Sequence, residues 1–487
     1  MKILGDASPK ETFIVASDIL ADAVRHTLGP KGLNTAVCTG SSGHYQIIND
    51  GKSIVQDLTS DDPVIAPALE LLKQSCFETN RNAGDGTTST ILMTNILLHN
   101  VYSYMESNSK VNAVALRNEL EEIRDELIEE VDNSKREIKE ENYEDVATVA
   151  LGGRKYAKLI ADAYKFVGKE GSVAFMKEDR KDVILECEDG VTLDKSEFKI
   201  IPMKEPREYS SMKVVIIYEK IDRFAELIDI LNKTTEFRGQ KTLLLYNEMS
   251  WDASSNIYAN IGDARIDVIP VRLGGYGVAT RDVMEQLAEY CGCKLVDGQN
   301  VKLNSVKESL NEIFGNIKKS LLSDTKVVLC TDAEIKENKN YVLQLKNKSC
   351  IIRVGGSNKV EQEETFRRIE DAVSSLGTAI KDGITLGGGL AYINAFESIR
   401  VIHDGADYLR GVGEIIYRTV VYNTTGITNI PEDYIGLLPG KDETSDWVDM
   451  DNNIFDSSTV VKEVIRNSFS LVSQIITTSK LIHEMIR

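Results

Sequence analysis

The sequence predicts a multidomain protein of α and α/β elements, in which a mostly helical domain is interrupted by an inserted α/β domain. Two patterns carry this reading. Apolar residues recur at helical spacing through the first quarter of the chain and again after about residue 360. Between them, β-rich apolar runs alternate with helical stretches. Length agrees, because 487 residues exceed one ordinary core and call for two or three domains.

The elements follow in order. Ser8-Pro9 can serve as N-cap and first helical residue. Phe13, Ala16, Leu20 and Val24 then step along one helical face until Gly29-Pro30 stops the helix. Ala36 to Cys38 and Tyr45 to Ile48 read as short strands around a Ser/Gly turn, and Val64 to Tyr104 as helix broken by the Gly-rich 84–88. Leu116, Leu120, Ile123, Leu127 and Val131 step by threes and fours in a heavily charged stretch. That pattern fits an amphipathic helix with a solvated acidic face, or a short coiled coil. Strands are expected at 213–218, 242–246, 266–271 and 326–330, with helices at 224–233 and 279–290 among them. A strand near Ile351, a Gly355-Gly356 turn and a long helix over 361–381 follow, and the chain is mostly helical beyond Gly387-Gly388-Gly389.

Composition narrows the function. The formal net charge of −19 repels phosphate backbones, so no nucleic-acid partner is expected. No run approaches 18 apolar residues and the first residues are mostly polar, so neither a membrane span nor a signal peptide is expected. Seven scattered cysteines fit a reducing cytosol better than a disulfide framework. Cys291-Gly-Cys293 could be half of a metal site, but no Cys or His pair complements it.

Four local features could carry chemistry. Thr27-Leu28-Gly29-Pro30-Lys31-Gly32 can form a tight turn with outward N–H groups, or simply end a helix. Gly84-Asp85-Gly86-Thr87-Thr88 opens a helix. Its glycines admit a phosphate to the backbone and Asp85 offers a hard oxygen ligand, although a capped helix start would read the same. It is not the Walker pattern, because no Gly-Lys-Ser/Thr follows. Asp50 and Asp371 are separated acids, each readable as a solvated residue or as a carboxylate that orients an attacking water. Three glycines at 387–389 permit close backbone approach to a ligand, or a flexible joint. No Ser/His/Asp set, HExxH or dinucleotide fingerprint is present.

Together these features resemble the chaperonins, and the GroEL (group I) type most closely, in a divergent and shortened form. The resemblance rests on ADAVRHTLGPKGLN at 21–34, NDGKSIV at 49–55, NAGDGTTSTIL at 82–92 and VGKEGSV at 167–173. It continues through FRRIEDAV at 366–373, GITLGGGLAY at 383–392 and SQIITTSKLI at 473–482, and so spans nearly the whole chain. The archaeal and eukaryotic cytosolic chaperonins share GDGTT, but no insertion here is long enough for their built-in lid helix.

The resemblance implies the chaperonin fold. Residues 1–132 and 387–487 would form a mostly helical equatorial domain, 133–188 and 352–386 a small intermediate hinge domain, and 189–351 an inserted α/β apical domain that binds clients and a co-chaperonin lid. It implies an ATP-dependent cytoplasmic chaperone that assembles into rings, encloses unfolded polypeptides and hydrolyses ATP with Mg2+ and, optionally, K+. Thr27, Leu28, Gly29, Pro30, Gly86, Thr87, Thr88 and Gly388 would line the nucleotide, Asp456 would meet its ribose and Asp85 would hold Mg2+. Asp50 and Asp371 would serve the attacking water. Ile201, Ile228, Leu231 and Tyr258 would face clients, although Ile228 and Leu231 also read as core residues.

The chain departs from the family in four places. Gly436-Leu437-Leu438-Pro439-Gly440 stands where Tyr-Asn-Ala is usual near the adenine, the Gly/Met-rich tail is missing, 298–350 is short and the client face is more polar. These departures motivate an alternative, a ring-forming structural or interaction protein with little refolding activity. A small-molecule kinase using the 84–88 loop is disfavoured for want of an acceptor-pocket motif.

Overall fold

The computed structural model of the chain describes residues 2–3, 8–39, 44–108, 110–169, 171–194, 198–200, 206–237, 239–262, 266–273, 278–323, 326–332, 348–400, 406–428, 437–439, 447–449, 454–480 and 482–483. The chain forms two compact units. The first comprises Met1–Asp162, Asp179–Asp182 and Gly355–Arg487, and the second, Ala163–Glu178 and Val183–Val354, interrupts it.

The first unit is helical. Its core is built from the helices Pro9–Val24, Ile65–Ala83, Thr87–Ser107, Ala113–Ser134 and Ser458–Ile475. Leu116, Leu120, Ile123, Leu127 and Val131 are each at most 2% exposed, so the acidic stretch is an amphipathic helix lying on the core. Burying each such side chain contributes about 1.5–3 kcal/mol. The expected N-terminal helix ends at Val24, and a single 3-10 turn, Arg25–Thr27, leads into Gly29-Pro30. Lys2–Ile3 pairs antiparallel with Ile482–His483, which brings the two ends of the chain together. Thr35–Thr39 and His44–Ile48 form an antiparallel hairpin with Thr35 opposite Ile48. The part after the triple glycine is less uniformly helical than its sequence suggests. Ile384–Leu386 pairs with Phe455–Ser457, and Leu437–Pro439 with Trp447–Asp449.

The Lys359–Asp382 helix crosses this unit and is tied down at its C-terminal end. Asp382 accepts from Lys135 Nζ at 2.8 Å, Ser458 Oγ at 2.8 Å and Thr459 Oγ1 at 3.0 Å, and pairs with Lys462 Nζ at 2.7 Å. Burial opposes ionisation of this carboxyl, but the bonds from Lys135, Lys462, Ser458 and Thr459 outweigh it and hold the group well below the usual carboxylate range.

The second unit holds the β-rich middle. A five-stranded sheet runs in the order Phe314–Ile317, Met212–Ile217, Lys241–Tyr246, Val268–Leu273, Phe198–Ile200, with its three central strands parallel and both edges antiparallel. The runs Val214–Ile217 and Leu243–Leu245 are buried throughout, as expected of parallel strands covered on both faces. Ile228–Thr234, Trp251–Gly262 and Val278–Cys291 are its helices. Val191–Asp194, Lys326–Cys330, Lys319–Leu322 and Arg207–Tyr209 make a second, antiparallel sheet.

A third sheet sets Lys348–Val354 between Ser172–Lys177 and Ile184–Asp189. Its register puts Cys350 directly opposite Cys187, and the two form a disulfide with Cα atoms 4.1 Å apart. The sequence reading, in which scattered cysteines fit a reducing cytosol better than a disulfide framework, did not foresee this pair. The 163 residues between this pair hide a contact that only strand register creates. Cys291 and Cys293 remain thiols, both pushed up by burial, Cys293 to about 12.

Asp382→Asn is expected to lower the melting temperature at pH 7. The native carboxyl titrates below its unfolded value, so its stabilisation is complete above about pH 4 and fades as the pH falls through the native value. Urea unfolding of both proteins at pH 7, 5 and 3 checks this. A gap that is the same at every pH would mean that packing, not charge, holds the helix.

Candidate functional site

Four short segments of the first unit line one cavity. The Ile65–Ala83 helix ends at Gly84 in the left-handed region (φ +78°), and Asn80 Nδ2 donates to the Gly84 carbonyl at 3.2 Å. Asp85 follows, and Gly86 (φ +95°) caps the start of the Thr87–Ser107 helix. Gly84 is also a contact point: a Cβ there would lie 2.1 Å from Ser374 Cβ on the Lys359–Asp382 helix. Ser374 is one turn from Asp371, so the absent side chain at Gly84 lets that helix bring Asp371 to the loop.

Asp50 is the N-cap of Gly51–Asp57. Its Oδ1 accepts from the Lys52 N–H at 3.0 Å, and its Oδ2 from the Ser53 N–H at 3.0 Å and Ser53 Oγ at 2.6 Å. Three of the carboxylate's roughly four accepting sites are used, and the remaining capacity is on Oδ1. The 27–30 turn hangs from the Ile415–Thr425 helix through Asn423, whose Nδ2 donates to the carbonyls of Arg25 and Leu28, both at 2.8 Å. Gly387 N–H donates to the Ile454 carbonyl at 2.8 Å, which sets the triple glycine beside Asp456.

The cavity encloses about 1040 Å³. Thr27, Leu28, Gly29, Pro30, Asp50, Asp85, Gly86, Thr87, Thr88, Asp371, Gly388 and Asp456 all line it, although up to 429 residues separate them in sequence. Sequence reasoning did not single out other lining residues, among them Asn80, Arg154, Arg368 and Tyr392. Tyr392 ends the GITLGGGLAY motif, a position that could have pointed to it, while Arg154 sits in a loop with no motif of its own.

The electrostatics are those of like charges brought together. Asp371 is pushed well above the usual carboxylate range by burial, then by Asp50, Asp85 and Glu370, with Lys52 opposing. Burial and Asp50 raise Asp85 against the Gly86 N–H. Burial and Asp85 raise Asp456 to about 7 against the Gly388 N–H. Burial, Asp456 and Asp85 push up the Tyr392 hydroxyl.

Seven acids line the cavity against two arginines. An anionic ligand enters such a place only with a cation that offsets the carboxylates. Among the described residues no three His, Cys, Asp or Glu side chains could hold a metal ion by themselves. A hard cation here would therefore need ligand oxygens beside a carboxylate, the mode Mg2+ adopts with phosphates. Thr87 Oγ1 is buried with no hydrogen-bond partner, and the first turn of its helix has N–H groups without helical acceptors. These residues fit a phosphate chain carrying a divalent cation.

The residues expected to meet clients lie in the second unit. Ile228 and Tyr258 are 43% and 42% exposed. Leu231 corrects the expectation: it is 6% exposed and packs into the core with Ile230, Ala253 and Ile257, so it offers no free apolar surface. Ile201 lies outside the described residues, as do Gly436 and Gly440. Trp251, which sequence reasoning missed, is 83% exposed and shares a helix face with Tyr258 seven residues on.

Comparison with known proteins completes the picture. Residues 20–418 match the TCP-1/cpn60 chaperonin family. The chain is 26% identical over 509 aligned residues to the chaperonin GroEL of Mycoplasmoides gallisepticum, covering 96% of this chain and 94% of that one. Its fold is similar to that of the chaperonin gp146 from the bacteriophage EL 2 (Pseudomonas aeruginosa), crystallised in the presence of ATP-BeFx. The two crystal forms give TM-scores of 0.70 and 0.68 at 16% and 17% identity, with 98% and 99% of both chains covered.

Asp456→Asn is expected to raise the melting temperature of the ligand-free protein. The native carboxyl titrates near 7, above its unfolded value, so its destabilisation grows from about pH 4 and is complete above about 7. The gain should therefore be small at pH 4.5 and larger at pH 8, read as the difference in melting temperature between variant and wild type. A melting temperature unchanged at pH 8 would contradict the like-charge account.

Proposed function

The chain belongs to the TCP-1/cpn60 chaperonin family, and we propose that its acid-lined cavity binds Mg2+ and ATP and hydrolyses the nucleotide. The chain is an ATP-dependent chaperonin of divergent GroEL type. The observation that carries the site assignment is the convergence on one cavity of all twelve residues expected at the nucleotide and its cation.

Asp85 holds Mg2+, which neutralises phosphate charge. The N–H groups at the start of the Thr87–Ser107 helix and the Thr87 and Thr88 hydroxyls cradle the phosphates. Thr27, Leu28, Gly29, Pro30 and Gly388 flank the nucleotide, and Asp456 accepts from its ribose. Asp50 stands near the terminal phosphate. Asp371 orients the attacking water and takes its proton once the cation offsets the neighbouring carboxylates. Phosphoryl transfer asks mainly for this positioning and charge neutralisation.

The wider reading follows the family. Residues 1–132 and 387–487 serve as equatorial domain, 133–188 and 352–386 as hinge, and 189–351 as apical domain. The subunits form rings that enclose non-native polypeptides, with a separate co-chaperonin as lid and K+ as a further cation at the nucleotide. Ile228, Trp251 and Tyr258 supply exposed apolar surface for clients. Among the described residues no helix is long and apolar enough to cross a membrane, and a cytoplasmic setting follows the GroEL-type relatives. In a reducing cytoplasm Cys187 and Cys350 would stand as opposed thiols. The alternative of a structural ring protein is not favoured.

Asp371→Ala is expected to reduce steady-state ATP turnover by at least 100-fold, the scale of a lost general base, while ATP binding by calorimetry stays within a few-fold. In the wild type, kcat/KM should rise with pH through an acid limb well above the ordinary carboxylate value of about 4, because the base must be ionised to act and its carboxyl is raised. Unchanged turnover in the variant would remove Asp371 from the mechanism.

A further inference from the structure

The long segment of the second unit, Val183–Val354, begins with the strand Ile184–Asp189 and ends with the strand Lys348–Val354, and these two pair antiparallel. Cys187 stands directly opposite Cys350 in that pairing. Lys348–Val354 is also held on its other edge, where it runs parallel to Ser172–Lys177. Three strands therefore set the register, and a slip of one residue would turn the cysteines to opposite faces. The ladder keeps them opposed with or without a bond between the sulfurs. The reduced state is provided for as well. Cys350 Sγ lies 3.7 Å from the Ala163 carbonyl oxygen, an acceptor for a thiol proton in an otherwise buried place.

The two sulfurs differ in access. Cys350 is 0% exposed, whereas Cys187 is only partly buried and lines a cavity of about 610 Å³ within the second unit. Phe166, Ser210, Lys318, Lys319 and Cys330 share its wall. A space of this size takes a molecule as large as a tripeptide. Exchange at a disulfide depends on which sulfur can be reached, and here that is Cys187. A third thiol is near. A Cβ on Gly190, three residues past Cys187, would lie 2.7 Å from Cys330 Sγ. Strand pairing nonetheless sets Cys330 opposite Lys319 and Cys187 opposite Cys350.

We propose that Cys187 and Cys350 form a reversible clasp across the first and last strands of this segment, opened and closed by a low-molecular-weight thiol that reaches Cys187 through the cavity. On opening, the thiolate of the small molecule bonds to Cys187 Sγ, the bond from Cys187 to Cys350 breaks, and Cys350 leaves as a thiolate that takes up a proton. A second small thiol then displaces the first from Cys187 and releases a small disulfide. Two electrons thus pass from two small thiols to the protein. Closing is the reverse: the Cys187 thiolate attacks a small disulfide, and Cys350 displaces the bound thiol. The closed clasp joins residues 163 apart, so it restricts the unfolded chain of most of the second unit. The clasp is independent of the nucleotide reading of the first unit.

The test equilibrates the full-length protein with reduced or oxidised glutathione, quenches it in acid and maps the cysteine bonds by peptide mass, alongside circular dichroism melts. In the wild type, oxidised glutathione should produce the cross-link between Cys187 and Cys350, and reduced glutathione should remove it again. The oxidised form should melt at least about 5 °C above the reduced form, because the loop it closes is long. Cys350→Ala should melt at one temperature in both buffers and trap glutathione on Cys187. Cys187→Ala should carry none on the buried Cys350. The wild-type comparison needs no variant to fold. A wild type with no cross-link, with one that joins Cys187 to Cys330, or with equal melting temperatures in its two forms overturns the clasp. Glutathione on Cys350 instead of Cys187, or opening that requires a protein dithiol, overturns the entry of a small thiol at Cys187.

Discussion

Like charges do not gather in a folded protein unless something holds them there. Asp50, Asp85, Asp371 and Asp456 line one cavity, and burial together with their neighbours raises three of these carboxyls above the usual range. This repulsion costs stability, and under the proposed function a cation accompanying a phosphate chain would relieve it. The surrounding helical unit acts as a frame that keeps the acids in register until that happens.

The frame works mainly through the Lys359–Asp382 helix. Arg368 ties it to the end of the Tyr143–Leu151 helix, where a cation also suits the exposed carbonyls. Gly84 lets it pack against the loop that carries Asp85, and the Asp382 cluster anchors its far end on Lys135 and Lys462. Asp371 lies between these attachments, so a shift of the helix moves the carboxylate and changes the repulsion. Charge compensation in the cavity and the position of the helix are in this way linked, a local electrostatic event acting on a mechanical element.

The second unit obeys a different constraint. Its parallel strands bury both faces, and the third sheet carries Arg353, almost wholly buried, with its two Nη atoms on the two Glu208 oxygens at 2.8 Å each. Apolar side chains that complete the core cannot also serve as a sticky surface, which is why Leu231 belongs to the interior while Ile228, Trp251 and Tyr258 face outward. Among the described residues of this unit the exposed apolar set includes the aromatic side chains Trp251 and Tyr258.

The sequence by itself determined the helical ends and the α/β middle, because each leaves a local mark, while the twelve residues that line the cavity were expected there from the family resemblance. A helix writes its buried face every three or four residues, a buried parallel strand writes a continuous apolar run, and a phosphate-type loop needs glycines beside a helix start. What only the tertiary structure decided are facts of register and approach. Cys187 meets Cys350 because two distant strands pair in one alignment. Leu231 points inward and Ile228 outward on one short helix, a distinction that spacing over seven residues is too short to make. Arg154 and Tyr392 reach the cavity because helices far apart in sequence pack side by side. The raised carboxyls exist only once folding removes water and brings the acids together, since in an extended chain solvent separates and screens them.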